Sequence, residues 1–98
     1  MSYLVVVTFD IKDGEAGDYE TVYKAFERVG LRRTLRADKG DTVTLPTTTT
    51  AGEVDGDNAG AVRDDICERT QDVFRSNKLH GKIFVAVGGN WAWGQRNP

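Results

Sequence analysis

The residue with the clearest chemical potential is a carboxylate at the end of an apolar run. Asp10 directly follows residues 3–9, and Asp13 lies three positions further on. A carboxylate at a strand terminus can hold a divalent cation whose other ligands are waters and a substrate phosphate. A single Asp10 makes a poor site for Mg²⁺ or Mn²⁺, whereas two Asp10 side chains across a dimer axis make a better one. The alternative is that Asp10 caps a turn.

Local basic charge is concentrated in one segment, at Arg32, Arg33, Arg36 and Lys39. In an extended strand Arg32 and Arg36 share one face, and Arg33 lies on the other. Guanidinium groups bind phosphate through paired donors, so this segment could contact a nucleic-acid backbone. Charge on an edge strand also protects a sheet from aggregation, and the sequence leaves both interpretations open.

Composition limits the other kinds of chemistry. Thirteen basic and fifteen acidic residues give a net charge of −2, which supplies no general attraction for nucleic acid. The single cysteine, Cys67, excludes an internal disulfide and a multi-cysteine zinc site. We expect Cys67 to lie in or beside the core and the single histidine, His80, to occupy a turn.

Hydrophobic patterning supplies the elements that position these residues. It predicts strands over residues 3–9, 31–36, 42–45 and 82–87 and helices over residues 18–30 and 59–77. Asp18 is the expected N-cap of the first helix and Gly30 its C-terminal stop. The second helix is expected to begin at Asp57 or Asn58.

The segment after the predicted hairpin is harder to assign. Pro46 has no N–H for a ladder hydrogen bond, so the third strand is expected to end or bulge there. The threonines of residues 47–50 have β propensity and are expected to continue the strand beyond that break. Residues 52–58 are predicted to form a polar loop.

The order β-α-β-β-α-β predicts an α+β, ferredoxin-like sandwich formed by one domain over residues 1–98. Right-handed crossovers give a four-stranded antiparallel sheet of order 4-1-3-2, with both helices on one face. The first strand is then central. Alternation places Val5, Val7 and Phe9 beneath the helices and leaves Leu4 and Asp10 on the open face.

The open face of such a sheet is apolar and needs a cover. Patches of this kind are usually buried by a partner or a tail. We expect a homodimer formed through the open face or the sheet edges, since two-fold dimers are the commonest oligomers. The alternative cover is the C-terminal segment that contains Trp91 and Trp93, within the chain or across a dimer.

Two stretches of the sequence resemble a known family. Residues 3–11 read YLVVVTFDI and precede Lys12 and Asp13, and residues 29–33 read VGLRR. Together with the element order, they are similar to the small CRISPR-associated endonucleases of the adaptation complex and to their VapD-type toxin relatives. The resemblance implies a ferredoxin-like homodimer in which Asp10 binds a metal ion at the dimer interface for phosphodiester hydrolysis.

Two functional hypotheses follow. The first is a metal-dependent endonuclease that acts on RNA or DNA as a homodimer, with Asp10 as catalytic metal ligand for Mg²⁺ or Mn²⁺ and Arg32, Arg33 and Arg36 on the phosphate backbone. The second is a non-catalytic dimeric module that binds another protein or a small ligand. The longest apolar run, residues 4–7, is far too short for a membrane span, so a cytoplasmic location is expected.

Overall fold

A computed structural model describes residues 1–98, which form two helices and five strands. The elements in chain order are β1 (Ser2–Ile11), α1 (Ala16–Val29), β2 (Thr34–Arg36), β3 (Thr42–Thr44), β4 (Thr49–Asp55), α2 (Ala59–Ser76) and β5 (Gly81–Gly88). Strands β4, β1 and β5 form an antiparallel sheet in that order, and β2 and β3 form a separate antiparallel ribbon. The architecture is therefore α+β.

Strand β1 lies in the centre of the sheet, as its nearly continuous hydrophobicity predicts. Its alternate residues Val5, Val7 and Phe9 are buried, whereas Leu4 is only partly covered and Asp10 is exposed. The Phe9 ring stacks on the Tyr19 ring of α1. It also makes edge-to-face contacts with Tyr23 and Phe26 of α1 and with Phe74 of α2. Both helices therefore cover the same face of the sheet, and the predicted assignment of faces is confirmed.

The ends of α1 confirm one cap and correct the other. Gly30 takes the left-handed conformation predicted for the C-terminal stop, with φ of 96°. The N-cap is Glu15 and not Asp18, which was the predicted cap. Asp18 is the third helical residue, and its carboxylate accepts the backbone N–H of Glu15 at 3.1 Å. The prediction was wrong because a reciprocal capping box moves the helix start by one turn.

Helix α2 matches its prediction closely. The side chain of Asn58 accepts the backbone N–H of Ala61 at 2.8 Å, and Asn77 follows the last helical residue. The buried stripe of α2 consists of Val62, Ile66, Thr70 and Phe74. Neither helix has the length and apolar character that a membrane crossing requires.

The predicted four-stranded sheet is interrupted. Residues 31–36 touch the main sheet through one bridge, from Arg32 to Ala51 in β4, and then leave it to pair with β3. The interruption follows Leu45, where Pro46 begins a turn that ends at Thr49. The expected break at Pro46 is therefore observed, and it divides the structure into three strands plus a two-stranded ribbon.

Strand β4 corrects the loop predicted over residues 52–58. Glu53 and Val54 pair with Leu4 and Tyr3 of β1, so the strand extends to Asp55. Polar composition hid this strand. Glycine is required at position 52 of this strand for a steric reason, because a Cβ there would collide with the carbonyl oxygen of Gly30.

Candidate functional site

Asp10 lies on the open face of the sheet, close to the end of β1. Its residue is exposed, and the register places it directly opposite Lys82 of β5. Side chains at opposite positions of an antiparallel pair share one face, so the nearest strand neighbour of this carboxylate is a cation. No group of three His, Cys, Asp or Glu side chains in the chain is arranged to hold a metal ion. A metal at Asp10 therefore needs ligands from outside the chain.

The three arginines predicted to bind phosphate have different surroundings. The Arg33 guanidinium lies 4.1 Å from the centre of the Tyr23 ring and 3.8 Å from the Glu20 carboxylate, on the side of the sheet that α1 covers. Arg36 donates to the carbonyl of Gly40 at 3.4 Å within the ribbon. Arg32 forms the bridge to Ala51 and is exposed. They do not form one basic surface.

Of the three arginines, Arg32 can be placed relative to Asp10 through the strand register. Arg32 bridges Ala51, which pairs with Val6, four residues before Asp10 in β1. With about 3.3 Å per residue and about 4.8 Å between strands, the Cα atoms of Arg32 and Asp10 are about 16 Å apart. Within one chain, Arg32 and Asp10 are therefore well separated along the sheet.

The turn between the ribbon and β4 contains an unusual backbone conformation. Thr48 has φ of 63°, a region that β-branched residues rarely adopt. Three hydrogen bonds hold it there. Its N–H donates to the Tyr23 hydroxyl at 2.8 Å, its carbonyl accepts the Phe9 N–H at 3.1 Å, and its hydroxyl donates to the Thr47 carbonyl at 2.6 Å. The threonine run thus fastens the end of β1 to α1.

The C-terminal segment after β5 covers part of the open face of its own chain. The Gln95 side chain donates to the Thr44 carbonyl at 2.8 Å, and Trp93 lies beside Leu4 and Val6 at a mainly apolar cavity of about 240 Å³. This contact within the chain was one of the two alternatives that the sequence left open. The cover is partial, because the ring of Phe84 on the same face is 67% exposed.

A concavity of about 720 Å³ lies between α2 and the start of β5. Phe74, Leu79 and Ile83 form its apolar part, and Arg75 and His80 lie at its polar part. The prediction that Cys67 lies in or beside the core was wrong, because Cys67 follows the buried Ile66 by about 100° around α2 and is exposed. Cys67 and His80, which was predicted to occupy a turn, both line this groove. The sequence signal for the groove was the basic charge of Arg75 in the last turn of α2 and of Lys78 just after the helix.

Comparison of the chain with protein-family models, with curated proteins and with solved structures found no match.

Proposed function

We propose that this chain is a homodimeric interaction module with ferredoxin-like topology. The observation that carries the proposal is Phe84, whose side chain is 67% exposed on a strand that has only one neighbour in the sheet. A large apolar ring on an unprotected edge is typical of a surface that a partner covers. The partly covered residues Leu4 and Val6 extend the same apolar face.

The strand arrangement supports the ferredoxin-like part of this proposal. The bridge from Arg32 to Ala51 puts residues 31–36 beside β4, and β4 is followed by β1 and β5. The spatial order is then β2, β4, β1 and β5. If β3 and β4 are counted as one third strand that is interrupted at Pro46, and β5 as the fourth, this order read from the β5 edge is 4-1-3-2. The crossover helices on a single face agree with that topology.

The single unpaired cysteine suits a reducing compartment, so we place the module in the cytoplasm.

Oligomeric state tests the proposal directly. Light scattering coupled to gel filtration, over a range of micromolar concentrations, is expected to give twice the chain mass of 10.8 kDa at the upper end. A mass that remains at one chain throughout would refute the module as a homodimer.

A metal-dependent endonuclease acting on RNA or DNA is the second candidate. One observation favours it: Asp10 is exposed at the end of the central strand, where a phosphodiester and a metal ion can reach it. Mg²⁺ or Mn²⁺ would be the cofactor, and the second carboxylate would come from another copy across the open face. Arg32 is exposed on the same face and is the arginine best placed to contact the backbone of a bound strand.

Nuclease assays with either metal on single- and double-stranded RNA and DNA test this candidate. Asp10→Asn is expected to abolish cleavage, since an amide is a weaker metal ligand than a carboxylate, while circular dichroism stays unchanged. Asp41→Asn, a matched change at an exposed position between β2 and β3, is expected to leave cleavage intact. A parent protein that cleaves none of the substrates would remove the enzymatic candidate.

A further inference from the structure

We propose that the second copy binds at the β5–α2 surface, which we define as the outer edge of β5 together with Cys67, Gln71 and Arg75 of α2. This inference rests on the proposed dimeric function and names the interface that performs it. The two copies would pair their β5 strands antiparallel about a two-fold axis, giving one continuous six-stranded sheet with all helices on one side.

The hydrogen-bond pattern of β5 leaves its outer edge ready for pairing. Lys12 donates its N–H to the His80 carbonyl at 2.8 Å at the end of the β1–β5 ladder. Because bonding alternates along an antiparallel strand, even-numbered residues face β1, and the backbone groups of Ile83, Val85 and Val87 point outward. Residues 83–88 contain neither a charge nor a proline, the two common protections of an edge.

Phe84 is the natural centre of the pair. A two-fold axis at this residue sets the two Phe84 rings opposite each other at a non-hydrogen-bonded position, where Cα atoms are about 4.5 Å apart. Aromatic side chains at such positions stabilise a sheet through direct contact. The pairing would cover the ring that is now 67% exposed.

The charges along α2 favour a second copy over other occupants. Asp64 near the start of α2 and Lys78 just after its end are exposed, and Gln71 lies midway between them. Residues three and four apart share a helix face, so the row Asp64, Cys67, Gln71 and Arg75 lies on one side of α2. The two-fold axis makes the helices antiparallel, so Asp64 of one copy, whose carboxylate also accepts from Arg63 at 2.9 Å, faces Lys78 of the other copy.

This interface has a consequence for the enzymatic candidate. Asp10 of β1 pairs with Lys82 of β5, and Lys82 is two residues from the proposed axis at Phe84. Because β1 is the inner neighbour of β5, Asp10 lies one strand further from the interface than Lys82. Strand spacing and rise then put the two Asp10 Cα atoms about 20 Å apart. Two carboxylates at that separation cannot share one metal ion, whose oxygen ligands lie about 2.0–2.6 Å away. The β5–α2 dimer and the endonuclease dimer are therefore distinguishable.

Sedimentation equilibrium on the full chain tests the interface. Phe84→Glu is expected to weaken dimerisation by about tenfold or more, because like charges would replace an aromatic pair at the centre of the interface. Val85→Pro, which removes only an outward-pointing N–H, is expected to do the same with little change in circular dichroism. Thr42→Glu, on the exposed side of the ribbon, is the matched control and is expected to have no effect.

A charge-reversal pair gives a readout at exposed positions that carry no core contacts. Asp64→Lys and Lys78→Glu are each expected to weaken their own homodimer. An equimolar mixture of the two variants is expected to restore dimerisation, because each reversed charge then meets its complement.

Three results would overturn the inference. A dimer that tolerates Phe84→Glu and Val85→Pro but is lost in Val6→Glu would locate the interface on the open face and leave the dimeric function standing. A chain that remains monomeric would reject both the interface and the dimeric function. A monomer that instead binds a polyglutamate peptide in the concavity between α2 and the start of β5 would replace the second copy with an acidic partner.

Discussion

Replacing Thr48 with glycine should make the protein more stable, although the change deletes a side chain. Thr48 is the second central residue of the turn from Pro46 to Thr49, closed by a 3.1 Å hydrogen bond between the ends of the turn, and its φ is 63°. A positive φ at this position defines a type II turn, which normally contains glycine there. Threonine at this site is strained because its Cβ crowds the backbone.

The expected magnitude follows from two opposing terms. The left-handed conformation costs an L-residue about 1–2 kcal/mol, which glycine does not incur. Glycine adds about 0.5–1 kcal/mol of conformational entropy to be lost on folding. The Thr48 hydroxyl bond to the neighbouring Thr47 carbonyl is exposed, and losing it changes little. The net gain for Thr48→Gly is about 0.5–1 kcal/mol, or a rise in Tm of about 2–8 °C for a domain of this size.

Thermal and urea unfolding followed by circular dichroism measure this change, with Thr47→Gly as the matched control. Thr47 occupies the preceding turn position with a negative φ, so glycine there should destabilise by about 0.5–1 kcal/mol. The two substitutions should change the free energy of unfolding in opposite directions, so that the variants differ from each other by about 1–2 kcal/mol. If Thr48→Gly lowers stability as much as Thr47→Gly does, the strain argument is wrong.

Two further substitutions test the contacts around this turn. Tyr23→Phe removes the acceptor of the Thr48 N–H and should lower the free energy of unfolding by about 1–3 kcal/mol. The control is Tyr19→Phe, because the Tyr19 hydroxyl makes no hydrogen bond within the chain, and it should change that free energy by less than about 0.5 kcal/mol. Equal effects of the two substitutions would contradict a role for the hydrogen bond. Gly52→Ala should destabilise by about 1–3 kcal/mol in urea titrations, because the new methyl group meets the Gly30 carbonyl, and an unchanged midpoint would show that the backbone yields there.

The parts of the fold that sequence predicted best are those with a strong hydrophobic period. The apolar run before Asp10 gave the central strand and the side on which each residue lies, and the stripe of α2 gave its buried face. These signals are local, so burial on one face suffices to produce them. Asp10 was therefore placed correctly on the open face.

The parts that sequence missed depend on contacts between distant residues. Gly52 and Glu53 carry no apolar alternation, and their strand exists because β1 offers them a paired edge. Alternation along an extended strand placed Arg33 on the other face from Arg32, and the Arg33 guanidinium does lie over the Tyr23 ring of α1. Spacing along the chain could not predict that Arg36 belongs to a separate ribbon, which leaves the main sheet after the bridge from Arg32 to Ala51.

The docked C-terminal segment gives the protein an internal optical reporter. Both tryptophans of the chain, Trp91 and Trp93, belong to it, and the aromatic cluster around Phe9 contains only phenylalanine and tyrosine. Indole emission therefore follows the release of this segment from the sheet, while ellipticity follows the helices and strands themselves. A spectral shift at constant ellipticity measures undocking alone, without any label.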